Sequence, residues 1–182
     1  MKTSLFPHKL SWLINNPLRR LLVAPEQLVE RLNLQEASRV LEIGPGSGYF
    51  SLAIAREVPQ GHLELVDVQP EMLEKTKQRL RAFGIDNVGF TTQDASLSLP
   101  FPDRSFDAAV LVAVLGEVAD PKTCLKELHR VLRATGIVAV HEHIPDPDRI
   151  RLDRLTVLAE TAGFVLRSRY GPSWNYTAVF SK

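Results

Sequence analysis

Three glycines in five residues, Gly44-Pro-Gly46-Ser-Gly48, join a short apolar run, Arg39-Val-Leu-Glu-Ile43, to a stretch in which Phe50, Ile54 and Val58 recur every four residues. The first pattern reads as a buried strand and the second as a helix from Ser47 to Val58. Glycine gives the backbone freedom to turn tightly and lets a ligand come close. The opening N–H groups of the helix then point their positive end at that ligand. A glycine-rich turn alone can also be an ordinary loop, so its surroundings decide.

The surroundings alternate strand and helix. Helices are predicted over 25–34, 70–83, 121–132 and 149–162. Strands are predicted over 62–67, 88–92, 106–113 and 137–142, and a closing antiparallel pair over 164–169 and 176–181. Proline opens the helices at Pro25, Pro70 and Pro121, the last with Asp120 as cap. Seven strands alternating with helices predict a mainly parallel sheet covered on both faces. Residues 25–182 suit a single domain, with 1–24 as a separate N-terminal segment.

Composition excludes several classes. A net charge of +1 offers whole-molecule electrostatics little hold on nucleic acid. A single cysteine, Cys124, rules out an internal disulfide and argues against a cysteine-based zinc site; inside a helix it reads as structural. No apolar run approaches the ~18 residues of a membrane span. The N-terminal apolar stretch is broken by Asn15, Asn16 and Pro17 with no small-residue cleavage site after it. The expected location is cytoplasmic.

Two carboxylates follow the glycine turn. Asp67 ends the second strand, about 20 residues past the glycines, where a carboxylate can accept from both hydroxyls of a ribose. It could also simply start the turn before Pro70. Asp94, in Gln93-Asp94-Ala95 after the third strand, can accept from an adenine amino group while a neighbouring N–H donates to the ring. A helix cap is its alternative. A dinucleotide fingerprint needs G-x-G-x-x-G. Counting from Gly44, that third glycine is Tyr49, and the glycine falls one residue early at Gly48. This disfavours a nicotinamide-dependent oxidoreductase and suits S-adenosylmethionine, which has no pyrophosphate.

On these residues the chain resembles the class I S-adenosylmethionine-dependent methyltransferases, in particular the branch of the ubiquinone/menaquinone-biosynthesis methyltransferases. The matching stretches are 40–48, 66–73, 93–95, 99–107 and 125–133, in that order. The resemblance implies a Rossmann-like α/β fold with strand order 3-2-1-4-5-7-6 and strand 7 antiparallel. It implies that Glu42, Gly44, Gly46 and Gly48 face the methionine part of the donor and that Asp67 holds the ribose. Val68 and Met72 would pack on the adenine, Asp94 and Ala95 would read its edge, and the backbone at Val112 and Ala113 would run close to the sulfonium. Two departures stand out. The turn before the fifth strand is Arg133-Ala-Thr-Gly136 where the family usually has Pro-Gly-Gly. Only Ile144-Pro-Asp-Pro-Asp148 follows that strand, where the family often inserts helices over the substrate.

The acceptor side is less determined. Residues 1–24 hold Phe6, Trp12, Leu13, Ile14, Leu18, Leu21, Leu22 and Val23 with Lys2, Lys9, Arg19 and Arg20, and no acid precedes Glu26. The segment can be a lid over the acceptor, a contact with a membrane surface, or a piece packed on the sheet. His141-Glu142-His143 ends the fifth strand at the ligand-binding edge of such folds. His141 and His143 share one face there, as a general base or as a polar end facing water; two histidines are too few for a metal site. Glu117, after the fourth strand, is a further candidate. No catalytic group is singled out, and methyl transfer can proceed largely by alignment. The expected activity is methyl transfer to a small, lipophilic acceptor. The rivals are a non-catalytic S-adenosylmethionine-binding protein and a protein or nucleic-acid methyltransferase.

Overall fold

The computed structural model describes residues 24–182. The proposed lid over 1–24 therefore falls, but for Ala24, outside the described residues. From Ala24 onward the elements are α1 (Pro25–Leu32), β1 (Arg39–Ile43), α2 (Tyr49–Glu57), β2 (His62–Asp67), α3 (Pro70–Ala82), β3 (Val88–Thr92), β4 (Phe106–Val112), α4 (Pro121–Val131), β5 (Leu132–His143), α5 (Leu152–Thr161), β6 (Val165–Tyr170) and β7 (Asn175–Ser181). One seven-stranded sheet has the order β3-β2-β1-β4-β5-β7-β6. β3, β2, β1, β4 and β5 run parallel, while β7 is antiparallel to β5 and β6. This is the Rossmann-like order expected from the resemblance.

Alternation along the strands divides the core in two. Val40, Leu63, Leu65, Ala108, Val110, Val112, Ala139 and Val179 face Leu28 and Leu32 of α1, Phe50 and Ile54 of α2, and Leu73 and Leu80 of α3. Leu41, Ile43, Ala109, Leu111, Val138, Val140, Ala178 and Phe180 face Leu125 and Leu128 of α4 and Leu155 and Leu158 of α5. β1 and β4 are buried on both faces because helices cover both. Cys124 is fully buried in the second layer, as its structural reading expects.

Several boundaries differ from the sequence-based ones, each for a local reason. α2 starts at Tyr49, not Ser47, because Gly48 is its cap residue with φ +75°. β5 starts five residues early. Leu132 pairs with Phe106, then the register shifts so that Ile137 pairs with Ala108. Arg133, Ala134 and Thr135 lie exposed in that excursion, where Arg133 pairs with Asp107 of β4. α5 starts at Leu152 because residues 146–149 form a turn and the Ile150 N–H is taken by the Glu142 carboxylate at 3.2 Å. Phe164 drops out of β6 because its N–H bonds the Ala159 carbonyl and closes α5.

Candidate active site

Backbone hydrogen bonds carry the sheet past its strand ends and so gather the loops. The Gly44 N–H donates to Val66 O at 2.8 Å, Gln93 N–H to Asp67 O at 3.0 Å, and Ala113 N–H to His141 O at 2.8 Å. The glycine loop after β1, Asp67 at the end of β2, Asp94 and Ala95 after β3, Val112 and Ala113 at the end of β4, and His141 and His143 at the end of β5 thus share one carboxyl edge.

Gly44, Gly46 and Gly48 all have positive φ, at +65°, +59° and +75°. Their surroundings differ. A methyl on Gly44 would lie 2.4 Å from Val114 Cγ2, and one on Gly48 would lie 2.8 Å from Thr76 Cγ2. A methyl on Gly46 would meet nothing within 4 Å. Gly44 and Gly48 therefore serve close packing, while Gly46 leaves open space. Thr76, fully buried on α3, donates from Oγ1 to Gly46 O at 2.9 Å and ties the loop to that helix. Sequence reading missed Thr76. Its signal is a hydroxyl in the apolar stripe of Met72, Leu73 and Leu80.

Glu42 is buried, 2% exposed, on the α1–α3 face of β1. Asp67 accepts from Gln69 N–H at 2.9 Å, and burial outweighs that bond and pushes its carboxyl up to about 6. Its turn role and its place at the strand end therefore coexist. Met72 is buried, whereas Val68 is 40% exposed. No helix follows Asp94, so its alternative as a helix cap is corrected. It closes a turn instead, accepting from Ser96 N–H at 2.8 Å and Ser96 Oγ at 2.6 Å. Ala95 is buried in the α4–α5 layer and leaves its backbone as the polar group there.

Ala113 is a non-glycine residue at φ +51°. A methyl-bearing residue in the left-handed region costs roughly 1–2 kcal/mol, and such strain gathers at ligand sites. His141 and Glu142 of the β5 triplet are each 1% exposed, which corrects the expectation of a polar end facing water for these two. His141 and His143 do share a face, with ring centroids 5.7 Å apart. Glu142 lies on the other, where burial and then Asp146 push its carboxyl up to about 8. Glu117 follows β4 in a turn, its N–H bonding Val114 O, and its charge adds to the rise at Glu142. Among the described residues no three His, Cys, Asp or Glu side chains cluster as metal ligands, and no helix is long and apolar enough to cross a membrane.

A demethylmenaquinone methyltransferase of Geobacillus kaustophilus is 35% identical over 125 residues, covering 68% of this chain and 53% of the relative. A protein-L-isoaspartate O-methyltransferase of Ignicoccus hospitalis is 35% identical over 102 residues, covering 56% of this chain and 47% of the relative. The chain thus spans about half the length of these curated relatives. A crystal structure of a SAM-dependent methyltransferase from Aquifex aeolicus superposes with a TM-score of 0.88 over 97% of this chain and 98% of that one, at 22% identity. That likeness is one of fold. A family model described as "Methyltransferase domain" matches residues 34–161, which contain the glycine loop, Asp67, Asp94 and the β4 and β5 ends. By that match, across the elements that build the shared edge, the chain belongs to the methyltransferase domain family.

Proposed function

We propose that this chain binds S-adenosylmethionine along the carboxyl edge of β1, β2, β3 and β4 and transfers its methyl group to a small, apolar acceptor over β4 and β5. One observation carries the reading. The space beside Gly46 is open while its two neighbouring glycines are packed, so the loop offers bare backbone to a ligand. A donor without a pyrophosphate suits that cradle, and Asp67 and Asp94, along the same edge, would meet its ribose and adenine.

When bound, the donor supplies a methyl on a positively charged sulfur that is a good leaving group. The chain's own part is to hold and align. Glu42, Gly44, Gly46 and Gly48 would hold the methionine part, Asp67 the ribose hydroxyls, Val68 and Met72 the adenine face, and Asp94 with the Ala95 backbone the adenine edge. Val112 and Ala113 would bring rigid backbone beside the sulfur, and holding the acceptor in line there supplies rate without a strong base. The curated relative named for demethylmenaquinone favours a quinone-like acceptor. The one named for protein isoaspartate favours a carboxylate on a polypeptide. Calorimetric titration of the full chain with S-adenosylmethionine and with NADH should give heat for the first alone. Methyl transfer should then appear with a short-chain quinol and not with an isoaspartyl peptide. Binding of NADH but not of S-adenosylmethionine overturns the donor; transfer only to the peptide overturns the acceptor.

A further inference from the structure

The donor residues occupy β1 to β4, and the remaining carboxyl edge, at β5 and β7, carries three linked polar side chains that none of the donor roles uses. Arg31 on α1 donates from Nη1 to Thr177 Oγ1 at 2.6 Å. Thr177 Oγ1 stands 3.0 Å from His141 Nδ1. Thr177 and His141 are partners across the β5–β7 ladder, and both are buried. His141 is also the register partner of Val112, whose neighbour Ala113 bonds its carbonyl. The histidine therefore sits next to the strained end of β4, on the acceptor side of the edge.

The protons in this chain can be placed from the donor inventory. A guanidinium only donates, so Thr177 Oγ1 accepts from Arg31. The hydroxyl has one proton of its own, and a buried O–H left without an acceptor is costly. The acceptor within reach is His141 Nδ1. Donation from a charged group to the same oxygen polarises the O–H and strengthens that second bond. An Nδ1 that accepts from Thr177 has its lone pair engaged, so the ring proton sits on Nε2. We propose that Arg31 and Thr177 are positioning residues that hold His141 as the neutral Nε2–H tautomer, which meets the methyl acceptor as a hydrogen-bond donor and not as its base. The role toward the acceptor rests on the methyl-transfer reading above; the tautomer does not.

The test has a spectroscopic arm and a kinetic arm. The full chain, labelled with 15N-histidine, has five histidines, and His141 is assigned by the signals lost in His141→Gln. At pH 7 its Nδ1 should resonate as an unprotonated ring nitrogen and its Nε2 as a protonated one. Thr177→Val should mix or reverse the tautomers, and Thr177→Ser should restore them. A protonated Nδ1 in the parent protein, or a Thr177→Val spectrum identical to it, overturns the assignment. In turnover, His141→Gln keeps an amide N–H near the Nε2 position and should lose no more than about tenfold in kcat, where His141→Leu loses about a hundredfold, the scale of one lost preorganised hydrogen-bond donor. Equal loss in the two variants overturns the donor role. A chain that methylates no acceptor while showing the predicted spectrum would overturn the proposed function and leave the tautomer standing.

Discussion

Asp67 faces two conflicting demands in the free protein. The proposed ribose role asks for a carboxylate at the end of β2, and burial resists one, so its carboxyl is pushed up to about 6. A ribose needs the charged form as acceptor. Donor affinity should therefore fall as pH drops through about 6, by at most tenfold per unit, and titrations from pH 5 to 8 check this. Asp67→Ala removes hydrogen bonds to a charged acceptor, each worth roughly 1.5–3 kcal/mol. A loss of about 3 kcal/mol weakens binding more than a hundredfold. A dissociation constant that is unchanged in the variant refutes the ribose role. The glycines allow a second residue-scale test. Gly46→Ala meets no neighbour and should cost only the left-handed strain, roughly 1–2 kcal/mol, yet its methyl enters the open space and should weaken donor binding by more than about tenfold, or ~1.4 kcal/mol. Gly44→Ala adds a 2.4 Å clash with Val114 to the same strain, a further overpacking cost of roughly 1–3 kcal/mol. Urea melts of both variants should rank them in that order, and a Gly46→Ala protein that binds donor normally would show the loop to be merely a turn.

At the scale of elements, the stretch from β5 to α5 is fastened by Glu142 and Tyr176. Glu142 accepts from Ile150 N–H at 3.2 Å, and Tyr176 Oη donates to Ile150 O at 2.7 Å. The Glu142 carboxyl rises to about 8 from its ordinary 4.5. A carboxyl whose folded pKa is raised binds more protons in the folded state than in the unfolded one, so its contribution to stability declines as pH rises between those values. Asp67 contributes in the same sense only up to about 6. The fall in stability between pH 6 and 8 should thus belong mainly to Glu142, at no more than about 1.4 kcal/mol per unit. Glu142→Gln keeps an acceptor for Ile150 and should flatten the profile and be the more stable protein at pH 8; urea melts that keep the parent's slope would refute this. None of this was legible in the sequence, where Glu142 was one letter between two histidines. What could be read were signals local to the chain. Asp120 accepts from Lys122 and Thr123 N–H groups as the cap its spacing predicts, and proline opens α1, α3 and α4. The errors fall where tertiary partners overrule local pattern: β5 is extended by pairing to Phe106, and α5 is delayed by the Glu142–Ile150 bond. Arg31 and Thr177 were illegible for the same reason, since each acts on a residue more than 30 positions away, and Thr76 showed only as a hydroxyl in an apolar stripe.

At the scale of the whole molecule, the order of the sheet could not be read from alternating strands and helices, which fit several doubly wound arrangements; the family resemblance supplied it. Among the described residues the same arrangement offers the proposed acceptor little cover. Every residue proposed to hold the donor lies between 42 and 113, and only eight residues, 144–151, separate β5 from α5. A loop so short, fastened back through Ile150, supplies little cover. We propose that residues 1–24 supply it, on the strength of Phe6, Trp12, Leu13 and Ile14. Excluding water and holding the nucleophile in line is where rate is gained. Deleting residues 1–24 should then leave donor affinity within about tenfold, ~1.4 kcal/mol, while turnover falls much further. The deletion also removes the Ala24 carbonyl, which accepts from Gln27 and Leu28 N–H at 3.1 and 3.3 Å, so the first turn of α1 loosens slightly. α1 itself keeps Leu28 and Leu32 buried against the sheet and should hold the domain together. If the segment is instead a structural support, melting temperature and donor affinity should drop together. Melting, donor binding and turnover measured on the same truncated protein separate these outcomes, and a truncation that unfolds or that keeps full turnover refutes the lid.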